Sequence, residues 1–109
     1  MSKARVVNIV CTECKPEDAE QFNKWYNEVH IPMLMKYKGI KKVTRYTSIQ
    51  NEGKPRYLAI YEFDKKADMD NMQSTQAFKD AIEEMNETWK GNMPDIKWVA
   101  AGEPIKVFE

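Results

Sequence analysis

The chain contains one histidine, and its surroundings make it the first candidate for chemistry. His30 follows Asn23 and Tyr26 in the stretch FNKWYNEVHIP. At about 100° per residue, a helix places Asn23, Tyr26 and His30 within roughly 60° of one another. Imidazole titrates near neutral pH and can exchange a proton at the rim of an apolar cavity. The spacing therefore predicts a general acid or base; the alternative is a half-buried histidine that bonds a backbone carbonyl near Pro32.

Arg45 and two tyrosines are the next polar side chains of interest. Arg45 alternates with apolar Val43 in a strand-like run, so an inward-facing guanidinium would need a carboxylate partner or an anionic ligand group. The alternative is an arginine on the surface or at a dimer rim, paired with a glutamate. Tyr57 and Tyr61 share one face of a later strand and can donate hydrogen bonds to a planar aromatic substrate. Core or dimer packing is the alternative for both tyrosines.

Two other chemistries have weaker support. Cys11 and Cys14 form a C-x-x-C pair, but Cys11 falls inside a strand pattern and Pro16 starts the following helix. Neither thiol then lies at the helix N-terminus that would lower its pKa, which argues against a thioredoxin-like redox site. Two cysteines and one distant histidine are also too few for a zinc site. We expect no metal and no bound cofactor.

Hydrophobic periodicity predicts six elements in the order β-α-β-β-α-β, a single ferredoxin-like α+β domain over residues 1–109. The four predicted strands cover 5–12, 41–50, 56–63 and the segment from 96 onward, with a bend at Gly102 and Pro104. A first helix begins at Pro16, is interrupted near His30 by Pro32, and ends at Gly39. Residues 51–55 form the predicted hairpin turn.

The third strand has apolar residues on both faces. Leu58 and Ile60 point one way, while Tyr57, Ala59 and Tyr61 point the other. Two helices can cover only one face of a four-stranded sheet. We therefore expect a homodimer in which the second face packs against another copy.

Composition excludes several classes of protein. The 109 residues carry 17 basic and 17 acidic side chains, which gives no electrostatic basis for binding nucleic acid or an anionic membrane. The apolar runs are too short for a membrane-spanning helix, and no secretory signal is recognisable. Because two cysteines cannot form an extracellular disulfide framework, we expect a cytoplasmic protein.

The combination WYNEVHIP, Gly39, Arg45-Tyr46 and RYLAIYEF resembles the EthD-like family of dimeric α+β barrel proteins. The resemblance extends from Val6 to the last strand. It implies a ferredoxin-like protomer, a homodimer with packed sheets, and a small-molecule pocket between sheet and helices. Related barrels include cofactor-free monooxygenases, cyclases, lactone isomerases and haem-degrading enzymes. The matching positions are Trp25, Tyr26, His30, Pro32, Arg45 and Tyr46.

We accordingly expect a small hydrophobic or aromatic ligand and a cofactor-independent enzyme or accessory enzyme. His30 would act as general acid or base, with Tyr26, Asn23 and Arg45 orienting a carbonyl or enolate. The remaining expected substrate contacts are Trp25, Tyr46, Tyr57 and Tyr61. Two alternatives stay open: a dimeric module that binds or senses a hydrophobic metabolite, and a haem-handling protein with His30 as axial ligand.

Overall fold

The structure is a computed structural model that describes residues 4–50 and 53–109. Short 3₁₀ turns at Pro16–Asp18 and Met72–Ser74 precede α1 and α4. One π-helical turn separates α1 from α2. In chain order the elements are β1 (Val6–Glu13), α1 (Ala19–Trp25), the π-turn (Tyr26–His30), α2 (Ile31–Leu34), β2 (Ile40–Thr47), β3 (Arg56–Phe63), α3 (Lys66–Asn71), α4 (Gln76–Trp89) and β4 (Asp95–Gly102).

The four strands form one antiparallel sheet in the order β2-β3-β1-β4. This order and the alternation of strands and helices confirm the predicted ferredoxin-like fold. The hairpin between β2 and β3 is present, although Asn51 and Glu52 of its predicted turn lie outside the described residues. The last strand ends at Gly102, and the irregularity in its pairing lies opposite Cys11 and Thr12.

The helices pack on one face of the sheet. On β3 the residues Ala59, Tyr61 and Phe63 are buried against them, whereas Leu58 and Ile60 on the other face are only half-buried. The predicted two-faced character of β3 therefore holds, and the odd-numbered register is the one covered by helices. All residues of the edge strand β4 are exposed. The core also contains Val6, Cys14, Phe22, Trp25, Tyr26, Leu34, Ile40, Ala81 and Trp89.

The first helical region differs from the prediction at its end. The α-helical pattern breaks over the π-turn and resumes at Ile31, because Pro32 has no N–H for the carbonyl of Glu28. The helix stops at Leu34, so Gly39 is not its cap. Gly39 instead leaves room for the ring of Tyr37, since a Cβ at this position would overlap a ring carbon of Tyr37.

Candidate functional site

Arg45 lies between the sheet and the first helical region. In the β2–β3 ladder it stands opposite buried Ala59, which places it on the helix-facing side. Its Nη1 donates to Oδ1 of Asn27 at 2.8 Å, and its Nη2 donates to Oδ1 of Asn23 at 2.9 Å. Its Nε is buried and has no hydrogen-bond partner among the described residues. Two neutral amide oxygens therefore hold this cation.

Asn27 was not among the predicted site residues. It follows Asn23 by four positions, a spacing that puts two side chains on the same helix face. The four-residue spacing of the two asparagines, together with a cationic residue on a facing strand, could have identified Asn27 as a site residue from the sequence.

Aromatic rings complete the surroundings of Arg45. Its guanidinium carbon lies 4.5 Å from the centre of the Tyr26 ring and 5.5 Å from that of Tyr57. Both distances allow cation–π attraction. Burial lowers the pKa of Arg45, and phenol oxygens oppose that shift. The guanidinium nevertheless stays charged at any physiological pH.

Tyr26 and Tyr61 form a buried pair of phenols. Their hydroxyl oxygens are 2.9 Å apart, so one hydroxyl donates to the other. Burial raises the pKa of both side chains, against a smaller opposing effect of Arg45. Both phenols are therefore neutral near pH 7, and the pair can act as a hydrogen-bond donor but not as a phenolate.

An open depression of about 250 Å³ lies beside Arg45 at the β2 edge of the sheet. Its volume is slightly below the range of about 300–1,000 Å³ typical of ligand pockets. Tyr46 borders the depression although it belongs to the other register of β2, and it is half-exposed. The lining residues are Asn23, Asn27, Arg45, Tyr46, Thr47 and Tyr57.

His30 does not have the position that the sequence predicted. It is only 8% exposed and does not line this depression. Its ring stacks on Trp25 with centroids 4.7 Å apart and meets the edge of Tyr26 at 5.0 Å. Desolvation lowers the pKa of His30 to about 4, against a smaller opposing effect of Glu84. His30 is therefore a neutral, buried side chain rather than an acid or base at a pocket rim.

The π-turn explains this difference. The amide of Ile31 bonds the carbonyl of Tyr26, five residues earlier, where an α-helix would use a spacing of four. A turn of this width brings residues five apart above one another, and Trp25 and His30 are such a pair. The estimate of 100° per residue therefore fails across this segment.

Trp25 belongs to the same buried cluster. It is 6% exposed, and its Nε1 donates to Oε1 of Glu84 on α4 at 2.9 Å. The structure therefore separates the predicted site residues into two groups. Arg45, Asn23, Tyr46 and Tyr57 surround the depression, while Trp25 and His30 pack between the helices. Tyr26 contacts members of both groups, and Tyr61 shares a hydrogen bond with Tyr26.

A second, larger depression of about 620 Å³ lies where β1 leads into α1 and α4 ends. Charges of both signs line it, including Lys15, Asp18 and Lys90, and its only cysteine is Cys14. Both cysteines are buried and unpaired, and burial raises the pKa of Cys14. A raised pKa is the opposite of what a redox-active thiolate needs.

The described residues do not form an evident binding site for a metal ion or for a haem ligated by His30. No group of three or more histidine, cysteine, aspartate or glutamate side chains there is arranged to hold a metal ion. A haem ligated by His30 does not fit, because that imidazole packs against Trp25 and Tyr26 instead of facing a cavity. In the part of the chain that the structure describes, no helix is long and apolar enough to cross a membrane.

Solved structures share this fold over nearly the whole chain. An EthD family protein from Bacillus halodurans C-125 has 18% identity and a TM-score of 0.66, with 94% of this chain and 100% of that chain aligned. HapK from Hahella chejuensis has 14% identity and a TM-score of 0.70, with 97% of each chain aligned. An antibiotic biosynthesis monooxygenase has 15% identity and a TM-score of 0.63, with 93% of this chain and 99% of that chain aligned. The predicted resemblance to EthD-like proteins is thereby confirmed at the level of fold.

Sequence comparison gives a more specific assignment. No curated protein sequence matches this chain. A family model described as a domain of unknown function, DUF4286, matches residues 5–97. The chain therefore belongs to the DUF4286 family, within the group of folds that includes EthD-like proteins and antibiotic biosynthesis monooxygenases.

Proposed function

We propose that this protein binds a small planar molecule at the depression beside Arg45. The observation that carries the proposal is a half-buried guanidinium beside an open cavity, held by two amide oxygens and without an ion pair among the described residues. A ligand oxygen would accept from Arg45, while an aromatic body would pack on Tyr57. The EthD-like and monooxygenase-like fold supports a small-molecule role but does not identify the ligand.

The size of the depression limits the ligand or its bound portion. A volume of about 250 Å³ suits one or two fused rings rather than a large cofactor. The amides of half-buried Asn23 and exposed Asn27 line the depression, so the polar end of the ligand would face the helix and its apolar end Tyr57. The most direct probes are 1-naphthol and 2-naphthoate.

Binding is tested by nuclear magnetic resonance titration of the uniformly labelled protein with each probe. We expect amide shifts confined to β2, the start of β3 and the region around Asn23 and Asn27. Arg45→Met should weaken binding by roughly tenfold, the value of a hydrogen bond to a charged group. Arg5→Met provides the matched control, because Arg5 pairs with Glu62 and Asp64 outside the depression. Shifts centred elsewhere, or equal affinity in Arg45→Met, would refute the proposed site.

A catalytic role for the same site is the second candidate function. The guanidinium of Arg45 borders the depression and can stabilise a bound enolate, whereas the Tyr26–Tyr61 hydroxyl pair is buried and does not line the depression. A cofactor-independent isomerase or oxygenase requires this kind of stabilisation. The test is deuterium exchange at the α-carbon of 2-tetralone in D₂O without added cofactor. Exchange that is faster than buffer and lost in Arg45→Met would support catalysis; binding without exchange would leave a binding or sensing module.

We further propose that the uncovered sheet face mediates a homodimer. Val7, Ile9, Leu58 and Ile60 form a half-buried apolar surface on that face, and Trp98 on β4 is 45% exposed beside it. Soluble monomers rarely expose a contiguous apolar surface of this kind. Tyr61 is unsuitable for testing this interface because it faces the helices.

Light scattering after size-exclusion chromatography tests this interface. Ile60→Glu should convert a dimer to a monomer, whereas Ile49→Glu should not, since Ile49 is 95% exposed outside the sheet. A wild-type monomer at micromolar concentration would exclude the dimer.

A further inference from the structure

We propose that Asn23 and Asn27 are specificity-determining residues that hold Arg45 without neutralising it, so that the site selects an anionic ligand. This inference rests on the proposed binding site and adds the charge of the ligand. An anion here means an ionised oxygen, such as that of an aromatic carboxylate, rather than a neutral carbonyl or hydroxyl.

The charge of Arg45 is uncompensated within the described chain. No carboxylate of residues 4–50 or 53–109 lies within ion-pair distance of its guanidinium. The other two arginines differ, since Arg5 pairs with Glu62 and Asp64, and Arg56 pairs with Glu13 at 2.7 Å. A half-buried cation normally requires a counter-charge. Arg45 alone is held by amides.

The stretch of sequence that contains Arg45 is rich in basic residues. Between residues 29 and 51 the chain contains no aspartate or glutamate. Four lysines in that stretch are exposed, and none forms an ion pair with another described residue. They precede Arg45 along β2 or in the turn before it: Lys36, Lys38, Lys41 and Lys42. None of these lysines lines the depression, so Arg45 is the cation there and the lysines contribute only a longer-range positive potential.

The guanidinium keeps hydrogens that an anion can use. The two asparagines each take one hydrogen of an Nη atom, so one N–H remains on each Nη, whereas Nε is buried and out of a ligand's reach. A carboxylate can accept from these remaining Nη hydrogens in a charge-assisted hydrogen bond. An aspartate in place of either asparagine would supply this counter-charge from within the protein.

The experiment uses Asn27→Asp and Asn23→Asp, which change charge with almost no change in shape. The probes are 2-naphthoate and 2-naphthamide, an acid and its neutral analogue, titrated by nuclear magnetic resonance or calorimetry. We expect wild type to prefer the acid by roughly tenfold or more and each aspartate variant to lose that preference. Asn86→Asp is the control, because Asn86 is exposed on α4 outside the depression.

Thermal melts without ligand test the charge balance separately. At low ionic strength Asn27→Asp should raise the melting temperature by giving Arg45 an ionic partner, and 1 M NaCl should remove the gain. Asn86→Asp should show no gain, since it adds an acid near the C-terminal end of α4. No gain in Asn27→Asp would mean that Arg45 is already compensated, and the inference would be wrong.

The binding results separate this inference from the proposed function. Equal binding of acid and amide, both lost in Arg45→Met, would overturn the anion preference while leaving the binding site in place. Acid binding unchanged in both aspartate variants would also overturn the specificity role of the asparagines. Binding of neither probe would count against both the inference and the proposed function.

Discussion

Arg45 and His30 both lie against the ring of Tyr26, but their surroundings differ in the one respect that matters for chemistry. Arg45 lies 4.5 Å from that ring at the edge of an open depression, with amide oxygens as partners. His30 lies 5.0 Å from it inside the helix layer, and its buried Nδ1 has no hydrogen-bond partner in the described part of the chain. The first keeps its charge, and the second loses it.

This contrast shows that the intrinsic pKa of a residue type does not decide which residue is available for a reaction. A histidine can titrate near neutral pH only when water or a partner stabilises the imidazolium. Arg45 stays charged in the same neighbourhood because the pKa of a guanidinium is far higher. The best candidate for chemistry from residue type alone therefore becomes part of the core, and the arginine becomes the centre of the proposed site.

The largest expected effect is a difference in unfolding free energy between variants in the buried Trp25–His30 cluster and variants beside the depression. Trp25→Ala should cost about 3–5 kcal/mol of unfolding free energy, because it removes a buried ring that stacks on His30 and bonds Glu84. Asn23→Ala, on the depression side of the same helix, should cost far less. Urea unfolding followed by circular dichroism measures both losses of unfolding free energy. A smaller loss in Trp25→Ala than in Asn23→Ala would show that the two regions do not differ in this way.

The second prediction concerns the loss of stability in acid that buried His30 causes. The pKa of His30 is about 4 in the folded protein and near 6.5 in the unfolded chain. Between these two pH values the unfolded chain is protonated at His30 and the folded chain is not. Stability is therefore lost as the pH falls from about 6.5 to about 4, by roughly 3 kcal/mol from this group.

The variant His30→Gln isolates that contribution, because the carboxylates titrate equally in both proteins. Its unfolding free energy should fall less steeply than that of wild type over this pH range. Parallel curves for the two proteins would show that His30 titrates normally and is accessible to water.

A third experiment examines the ring that joins the two regions. The hydroxyls of Tyr26 and Tyr61 should show a coupling energy of about 0.5–1.5 kcal/mol in a double-mutant cycle with Tyr26→Phe and Tyr61→Phe. The double variant should be more stable than the sum of the single losses predicts, since each single variant leaves one buried hydroxyl unpaired. Strict additivity would mean that the two hydroxyls do not interact.

The smallest expected effect is on the stability of an Arg45 variant. Arg45→Met should change the unfolding free energy by about 1 kcal/mol or less, because its hydrogen bonds to Asn27 and Asn23 are exposed or only partly buried. The same variant should weaken ligand binding roughly tenfold, as expected above. A loss of several kcal/mol would instead make Arg45 a structural residue like Trp25.

Much of the fold could be predicted from residue patterns within single strands and helices. The bounds of β3 agree with the predicted run 56–63, since a strand with apolar residues on both faces and a proline before it has few alternatives. The break near His30 was also predictable, because the missing N–H of Pro32 is a local property. Gly39 was assigned a wrong role because its close approach to Tyr37 depends on how the turn folds back.

The sequence by itself determined the element order, the apolar character of both faces of β3, and Arg45 as a cation on an apolar strand; which face of β3 the helices cover came from the structure. Each of these depends on spacing within one element, where periods of two or 3.6 residues apply. Only the tertiary structure decided that Asn27 joins Asn23 on Arg45, that the π-turn carries His30 onto Trp25, and that Tyr26 meets Tyr61. These outcomes depend on contacts between elements and on a helical turn of unusual width. Burial then set the protonation of His30, because the free energy of a charge depends on the water and partners around it.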